Sequence, residues 1–227
     1  PVQGSFASVI VLDDRRGNGV TSDPEKNEDH VSLREDADTI LAGVFDGATA
    51  PGVLPDYFST LGQKPGKIAS AIAQQVLEEV SMMSDPTEVL LSINHRLRER
   101  AKEMPVSEQE AEELFSTVGL VAVIDKGTRT LRFAGAGDCM LVVKRTDDSF
   151  VWRTVNIAER FEQAEIAAGK TVASERGVPL PDVFDDPKVD GKIRENRKCE
   201  NASDGSGYAA LKGGPDAVLT LYIQNGE

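Results

Sequence analysis

Hydrophobic residues along the chain recur first with a period of two, then at helical spacing, then with a period of two again, and that order predicts the layout of the fold. Residues 5–12 are apolar and β-branched and run into the polar turn Asp13-Asp14-Arg15-Arg16-Gly17-Asn18-Gly19, so a strand is expected there. A short strand over 30–33 and a stronger one over 39–45 follow, joined by the charged turn Arg34-Glu35-Asp36. Ile68, Ile72, Val76, Leu77 and Val80 then recur at helical spacing within 67–82. Asp85-Pro86-Thr87-Glu88 offers an N-cap, a proline at the first helical position and a capping-box glutamate. Val89, Leu90, Ile93 and Leu97 form the apolar stripe of this second helix, which is expected to fade near Met104-Pro105.

From Ser116 the period returns to that of a sheet. Segments 116–124, 130–134, 139–144 and 150–155 read as consecutive strands with Gly- and Asp-containing turns, an antiparallel meander. Residues 158–168 read as a short helix ended by Gly169, and 170–215, rich in Asp, Gly, Pro and Lys, as a long surface excursion. A last strand is expected over 217–223, before Asn225-Gly226, a dipeptide favoured in hairpin turns. Strands, two long helices, a meander, a helix and another strand predict an α+β layered fold, unlike a regular βαβ alternation. With 227 residues, one domain spanning 1–227 is the simplest organisation.

Composition narrows the function. The formal net charge of −13 opposes general binding to nucleic-acid backbone or to anionic lipid, both of which select for Lys and Arg, so neither nucleic acid nor membrane is expected as a partner. Two cysteines, Cys139 and Cys199, make neither a disulfide framework nor a Cys-rich zinc site, and a reducing, cytoplasmic location is expected. No apolar stretch approaches the roughly 20 residues that span a bilayer, and the first residues lack the charged-then-apolar pattern of a signal peptide.

Two acidic motifs carry the candidate chemistry, Asn27-Glu28-Asp29 and Phe45-Asp46-Gly47, with 16 residues between Asp29 and Asp46. Strands ending at one rim of a sheet would gather Glu28, Asp29 and Asp46. Clustered carboxylates repel unless they share protons or hold a hard cation, which points to Mg²⁺ or Mn²⁺ and a metal-dependent hydrolase. Taken singly, Glu28 and Asp29 also suit a solvated turn, and Asp46-Gly47 suits an ordinary strand-ending turn. Neither His30 nor His95 stands in a catalytic pattern, and no histidine near Cys139 in sequence would make it a nucleophile.

Together these segments are similar to the metal-dependent Ser/Thr protein phosphatases, the protein phosphatase 2C family. Asn27-Glu28-Asp29 resembles that family's early Asn-Glu-Asp motif, and Gly43-Val44-Phe45-Asp46-Gly47 its Val-Phe-Asp-Gly segment. Ser116-Thr117-Val118-Gly119 and the apolar run after it resemble the Ser-Thr-rich strand that follows the helical pair. Leu131-Arg132-Phe133-Ala134-Gly135-Ala136-Gly137-Asp138-Cys139 resembles the strand and turn that end in Gly-Asp-Ser, and 207–213 the stretch before the last strands of bacterial-type members. The resemblance implies a layered α/β/β/α sandwich with a central pair of mainly antiparallel sheets and two metal ions, Mg or Mn, at one end. In the family a metal-bridging water attacks the phosphorus of phosphoserine or phosphothreonine. Carried over, Glu28 and Asp46 would be metal ligands, Gly47 would offer its carbonyl, Asp29 would support them, and Asp138 would help bind an additional ion.

The departures from the family pattern are as specific. Asp46-Gly47 continues as Ala48-Thr49-Ala50-Pro51, without the usual glycines. The arginine that binds substrate phosphate commonly lies four residues before the motif's glutamate; Pro24 stands there, with Lys26 as its substitute. The late Asp-Gly metal motif either falls on Asn225-Gly226 or lies beyond Asn225-Gly226-Glu227 read as a turn, and the second alignment is preferred, so the domain is expected to lack its C-terminal strands. Three readings follow: a protein Ser/Thr phosphatase acting on a phosphorylated protein, a catalytically impaired pseudophosphatase that binds a regulatory protein, or, third in order, an unrelated α+β binding domain whose acidic motifs are only turns.

Overall fold

The computed structural model describes residues 27–48, 62–104, 114–144, 147–152, 154–183 and 186–227. The strand expected over 5–12, Lys26 and Pro51 lie outside the described residues. The fold is α+β. Strands β1 (His30–Glu35), β2 (Thr39–Gly47), β3 (Thr117–Asp125), β4 (Thr130–Ala136) and a C-terminal strand Gln224–Gly226 form one antiparallel sheet, in the order β1, β2, β3, β4, then the C-terminal strand. A second, two-stranded antiparallel sheet pairs β5 (Val142–Lys144) with β6 (Phe150–Trp152), and the C-terminal strand is therefore β7. The expected meander thus divides: β3 and β4 are neighbours in the main sheet, whereas β5 and β6 leave it.

Alternation in β2 sets the core. Leu41 and Phe45 point to the face covered by helices α1 (Pro65–Glu79) and α2 (Pro86–Lys102), where they pack with Leu77, Leu90, Ile93 and Leu97. A methyl group on Gly119 would lie 2.4 Å from the Phe45 ring, so that strand position stays side-chain-free to admit it. On the other face Leu120, Ala122 and Phe133 pack with Val44, Leu131, Cys139 and Leu141. The helix ends obey local chemistry. Asp85 caps α2 by accepting from the backbone N–H groups of Thr87 and Glu88, as its sequence motif predicts. Arg34 reaches from β1 to donate to the Leu77 and Val80 carbonyls, satisfying the C-terminal end of α1.

The second half departs from the sequence expectation in three places. Helix α3 runs over Glu159–Arg176 and ends at Gly177, whose φ of 67° takes the left-handed stop. Gly169 is instead a packing position, since a methyl group there would meet Leu180 Cδ1 at 2.8 Å. Segment 170–215 is structured: the end of α3, a 3₁₀ turn at Leu180–Val183 and helix α4 (Pro187–Arg197) share a small core of Val172, Ala173, Val183 and Val189. The chain then returns to the main body, where Leu211 is fully buried and exchanges both backbone hydrogen bonds with Thr117, at 3.0 and 2.8 Å.

Finally, 217–223 is not a strand. Pro215 leads into a helical turn, α5 (Asp216–Leu219), which buries Leu219, and Asn225 and Gly226 pair with Ala134 and Phe133 inside the sheet rather than turning a hairpin. Asn94, fully buried on α2, holds this return. Its amide donates to the Gly214 carbonyl and to Asp216 Oδ1, both at 2.8 Å, and its carbonyl oxygen accepts from the Gly213 N–H at 2.8 Å. Asn94→Ala would strand buried backbone groups, each worth about 1–3 kcal/mol. We expect a loss of about 2–4 kcal/mol in urea-unfolding free energy, and a much smaller loss for the exposed neighbour His95→Ala.

Candidate metal-binding rim

Antiparallel order places four strand ends at one rim. The start of β1, the end of β2, the start of β3 and the end of β4 coincide there, because His30 pairs with Phe45, Gly47 with Thr117, and Gly119 with Ala136. The motif residues extend these ends: Glu28 and Asp29 precede β1, Asp46 and Gly47 close β2, and Asp138 follows β4 after Gly137, whose φ is 88°. Backbone bonds fix the join. The Gly47 N–H donates to the Glu28 carbonyl at 3.2 Å, Thr117 Oγ1 donates to the Asp46 carbonyl at 2.8 Å, and the Ala48 N–H donates to the Ser116 carbonyl at 2.9 Å. Asn27 accepts from the Asp29 N–H at 2.9 Å and so shapes the turn that delivers both acids.

Helix α1 docks against this rim without room to spare. A methyl group on Gly47 would lie 2.1 Å from the Gly66 carbonyl oxygen, and one on Gly66 would lie 2.0 Å from Glu28 Oε2. The first turn of α1 contains no acidic residue of its own, so the Glu28 carboxylate supplies the negative charge that a helix N-terminus favours. Lys64 pairs with Glu28 Oε1 at 2.8 Å. Ser70, buried on α1, donates to the Glu28 carbonyl and lies 2.8 Å from His30 Nδ1. Burial and then the nearby Lys67 charge lower the His30 pKa, so this histidine stays neutral at pH 7.

The carboxylates feel one another. Crowding by protein around the Asp46 carboxyl, then the Asp29 charge and a hydrogen bond shared with Asp29, then Asp138 and Glu28, push its pKa up to about 8. Asp46 nevertheless keeps contact with solvent, as a ligand-binding side chain requires. A fifth acid joins from α3. Desolvation, then the charge of Asp138 and a hydrogen bond with it, raise the Glu162 pKa, while Asn156 donates to both Glu162 oxygens at 3.2 and 3.0 Å. No spacing in the sequence marks Glu162; only the docking of α3 brings it to Asp138. Burial pushes the Cys139 thiol up, with Asp138 and Asp46 adding to the effect, so it is an unreactive neighbour.

The donor set suits a hard divalent ion. All the acids offer oxygen, and Asp138 Oδ1 is buried with no hydrogen-bond partner among the described residues, an anionic oxygen that a cation would satisfy. Among the described residues no three His, Cys, Asp or Glu side chains stand together as a preformed cage. Mg²⁺ does not demand one, since it keeps several waters and binds through one or two carboxylates. Lys26, the expected phosphate-binding residue, lies outside the described residues.

The raised Asp46 pKa fixes a sign. As pH rises from 3.8, the carboxyl value expected in the unfolded chain, to about 8, the unfolded chain gives up this proton while the folded chain retains it. Metal-free stability therefore falls across that window. Asp46→Asn removes the conflict. In EDTA at pH 7.5 it is expected to stabilise the fold by about 1 kcal/mol, a figure kept small by solvent screening, and to flatten the pH dependence of the thermal midpoint.

No family model matches the chain, and no curated protein matches it. Among solved structures it is similar to a bacterial serine phosphatase, at 15% identity and a TM-score of 0.45, over 88% of this chain and 66% of that one. It is also similar to the serine/threonine phosphatase Stp1 from Staphylococcus aureus, at 17% identity and a TM-score of 0.42, over 73% of this chain and 58% of that one. RsbX, solved in complex with magnesium, matches at 10% identity and a TM-score of 0.42, over 57% of this chain and 52% of its own. The matched region thus spans about half to two thirds of each of these chains. No helix among the described residues is long and apolar enough to cross a membrane. Two of these solved proteins are named as phosphatases, one a bacterial serine phosphatase and the other a serine/threonine phosphatase.

Proposed function

We propose that this chain is a metal-dependent phosphatase domain of the protein phosphatase 2C type, hydrolysing phosphoserine or phosphothreonine in a protein. One observation carries the reading: Glu28, Asp29, Asp46 and Asp138 adjoin the coincident ends of β1, β2 and β4, and Asp46 feels the charge of the other three. Asp46 and Glu28 would hold the ions, with the Gly47 carbonyl and Asp138 completing the oxygen donors. Divalent ions, when bound, supply positive charge to the phosphate and make water acidic enough to attack it at neutral pH. The protein's part is to hold the acids ready. Asp29 shares a hydrogen bond with Asp46 and orients it. Lys64 holds Glu28 against the first turn of α1, and the Thr117 hydroxyl fixes the peptide that carries Asp46.

Protons compete with the metal for Asp46, so metal affinity should rise as pH approaches about 8. The test is Mn²⁺-dependent hydrolysis of p-nitrophenyl phosphate and of a phosphothreonine peptide. Asp29→Asn is expected to lower metal affinity or activity about ten- to a hundredfold, and Asp46→Asn at least as much. Folded protein that binds Mn²⁺ in calorimetry without turnover would favour a pseudophosphatase that engages a regulatory partner. Folded protein that neither binds the ion nor turns over substrate would rule out both readings.

A further inference from the structure

A phosphomonoester carries between one and two negative charges near neutral pH. A rim of carboxylates repels it; divalent ions, when bound there, would attract it but would not by themselves fix its orientation. A side-chain cation beside Asp46 and Gly47 with several donors in a fixed fork would add that orientation. Lys64 is paired with Glu28 at 2.8 Å, and the largely buried Lys212 faces Glu200 at 3.8 Å, where Ser116 and Tyr208 also hydrogen-bond that acid.

Arg197 differs from both. It sits at the last residue of α4 and donates from Nη1 to the Ala48 carbonyl at 3.2 Å, two residues beyond Asp46. Among the described residues no carboxylate lies within ion-pairing distance of its guanidinium, which has five N–H donors. Its base is held firmly. The neighbouring Asn196 is buried and donates to the Phe161 carbonyl at 2.9 Å and to Glu165 Oε1 at 2.8 Å, which pins the end of α4 to α3.

We propose that Arg197 is the phosphate-binding residue of this site, reaching the substrate's non-bridging oxygens from α4 beside the Asp46-Gly47 turn. The proposal rests on the phosphatase reading. A helix C-terminus also favours a basic residue for its dipole alone, and that role predicts a change in stability with no change in phosphate affinity. The two are separable.

Arg197→Gln, Arg197→Ala and Arg197→Lys are compared with wild type using Mn²⁺ and p-nitrophenyl phosphate. KM and the inhibition constant of inorganic phosphate should both rise about ten- to a hundredfold in Gln and Ala, the worth of a charge-assisted hydrogen bond. Lys should recover part of the loss, and Mn²⁺ affinity should stay unchanged. Unchanged KM and phosphate inhibition in a stably folded variant would overturn the proposal while leaving the phosphatase reading intact. If wild type shows no turnover, calorimetric binding of inorganic phosphate to the Mn²⁺-loaded protein decides the matter, lost in Arg197→Gln if the proposal holds and equal in both if it does not. Should the variants fail to fold, phenylglyoxal labelling of wild type serves: phosphate should shield Arg197 from modification, and undiminished labelling would refute the assignment.

Discussion

The register of the β1–β2 hairpin governs everything else at the rim. His30 sits opposite Phe45, so the two residues before β1 must lie beside the two that close β2. A slip of one residue would turn Leu41 and Phe45 out of the core and separate Glu28 from Gly47 at once. The same apolar face that seals the fold under α1 and α2 therefore sets the spacing of the acids. Packing at the rim reinforces this, because the absence of side chains at Gly47 and Gly66 is what lets α1 press its first turn against Glu28.

That arrangement works against stability. Crowding by protein and then mutual repulsion keep Asp46 protonated well above the usual carboxylate range, and Glu162 is raised beside Asp138. A strand-end carboxyl that keeps its proton up to about pH 8 is a poor choice for holding strands together, since an amide or an apolar residue would serve the fold better. Conflict of this kind concentrates where a protein prepares for a ligand. The orphaned Asp138 oxygen belongs to the same pattern.

How much of this was legible in the sequence depends on the range of the signal. Local chemistry read well: the alternation of 39–45 gave β2, and Asp85-Pro86-Thr87-Glu88 gave the capped start of α2. The acidic motifs could be brought to one rim because each borders a recognisable strand. Signals that depend on distant packing were misleading. Gly169 looks like a helix stop, yet it makes room for Leu180, while the true stop at Gly177 lies one short stretch further on. Leu219, Leu221 and Ile223 alternate as a strand would, but Pro215 and the Asn94–Asp216 contact hold the segment's start in a helical turn. Glu162 and Arg197 had no signal at all, because each reaches the rim from a helix whose docking no local pattern encodes.

The central claim is that the gathered strand ends form a divalent-ion site. Titrating the isotopically labelled protein with trace Mn²⁺ and following paramagnetic broadening of backbone amides tests it most directly. The account predicts early, saturable broadening centred on Glu28, Asp29, Asp46, Gly47 and Asp138, largely removed in Asp46→Asn and reversed by excess Mg²⁺. Broadening that spreads without saturation over the acidic surface, or that centres on residues remote from this rim, would contradict it.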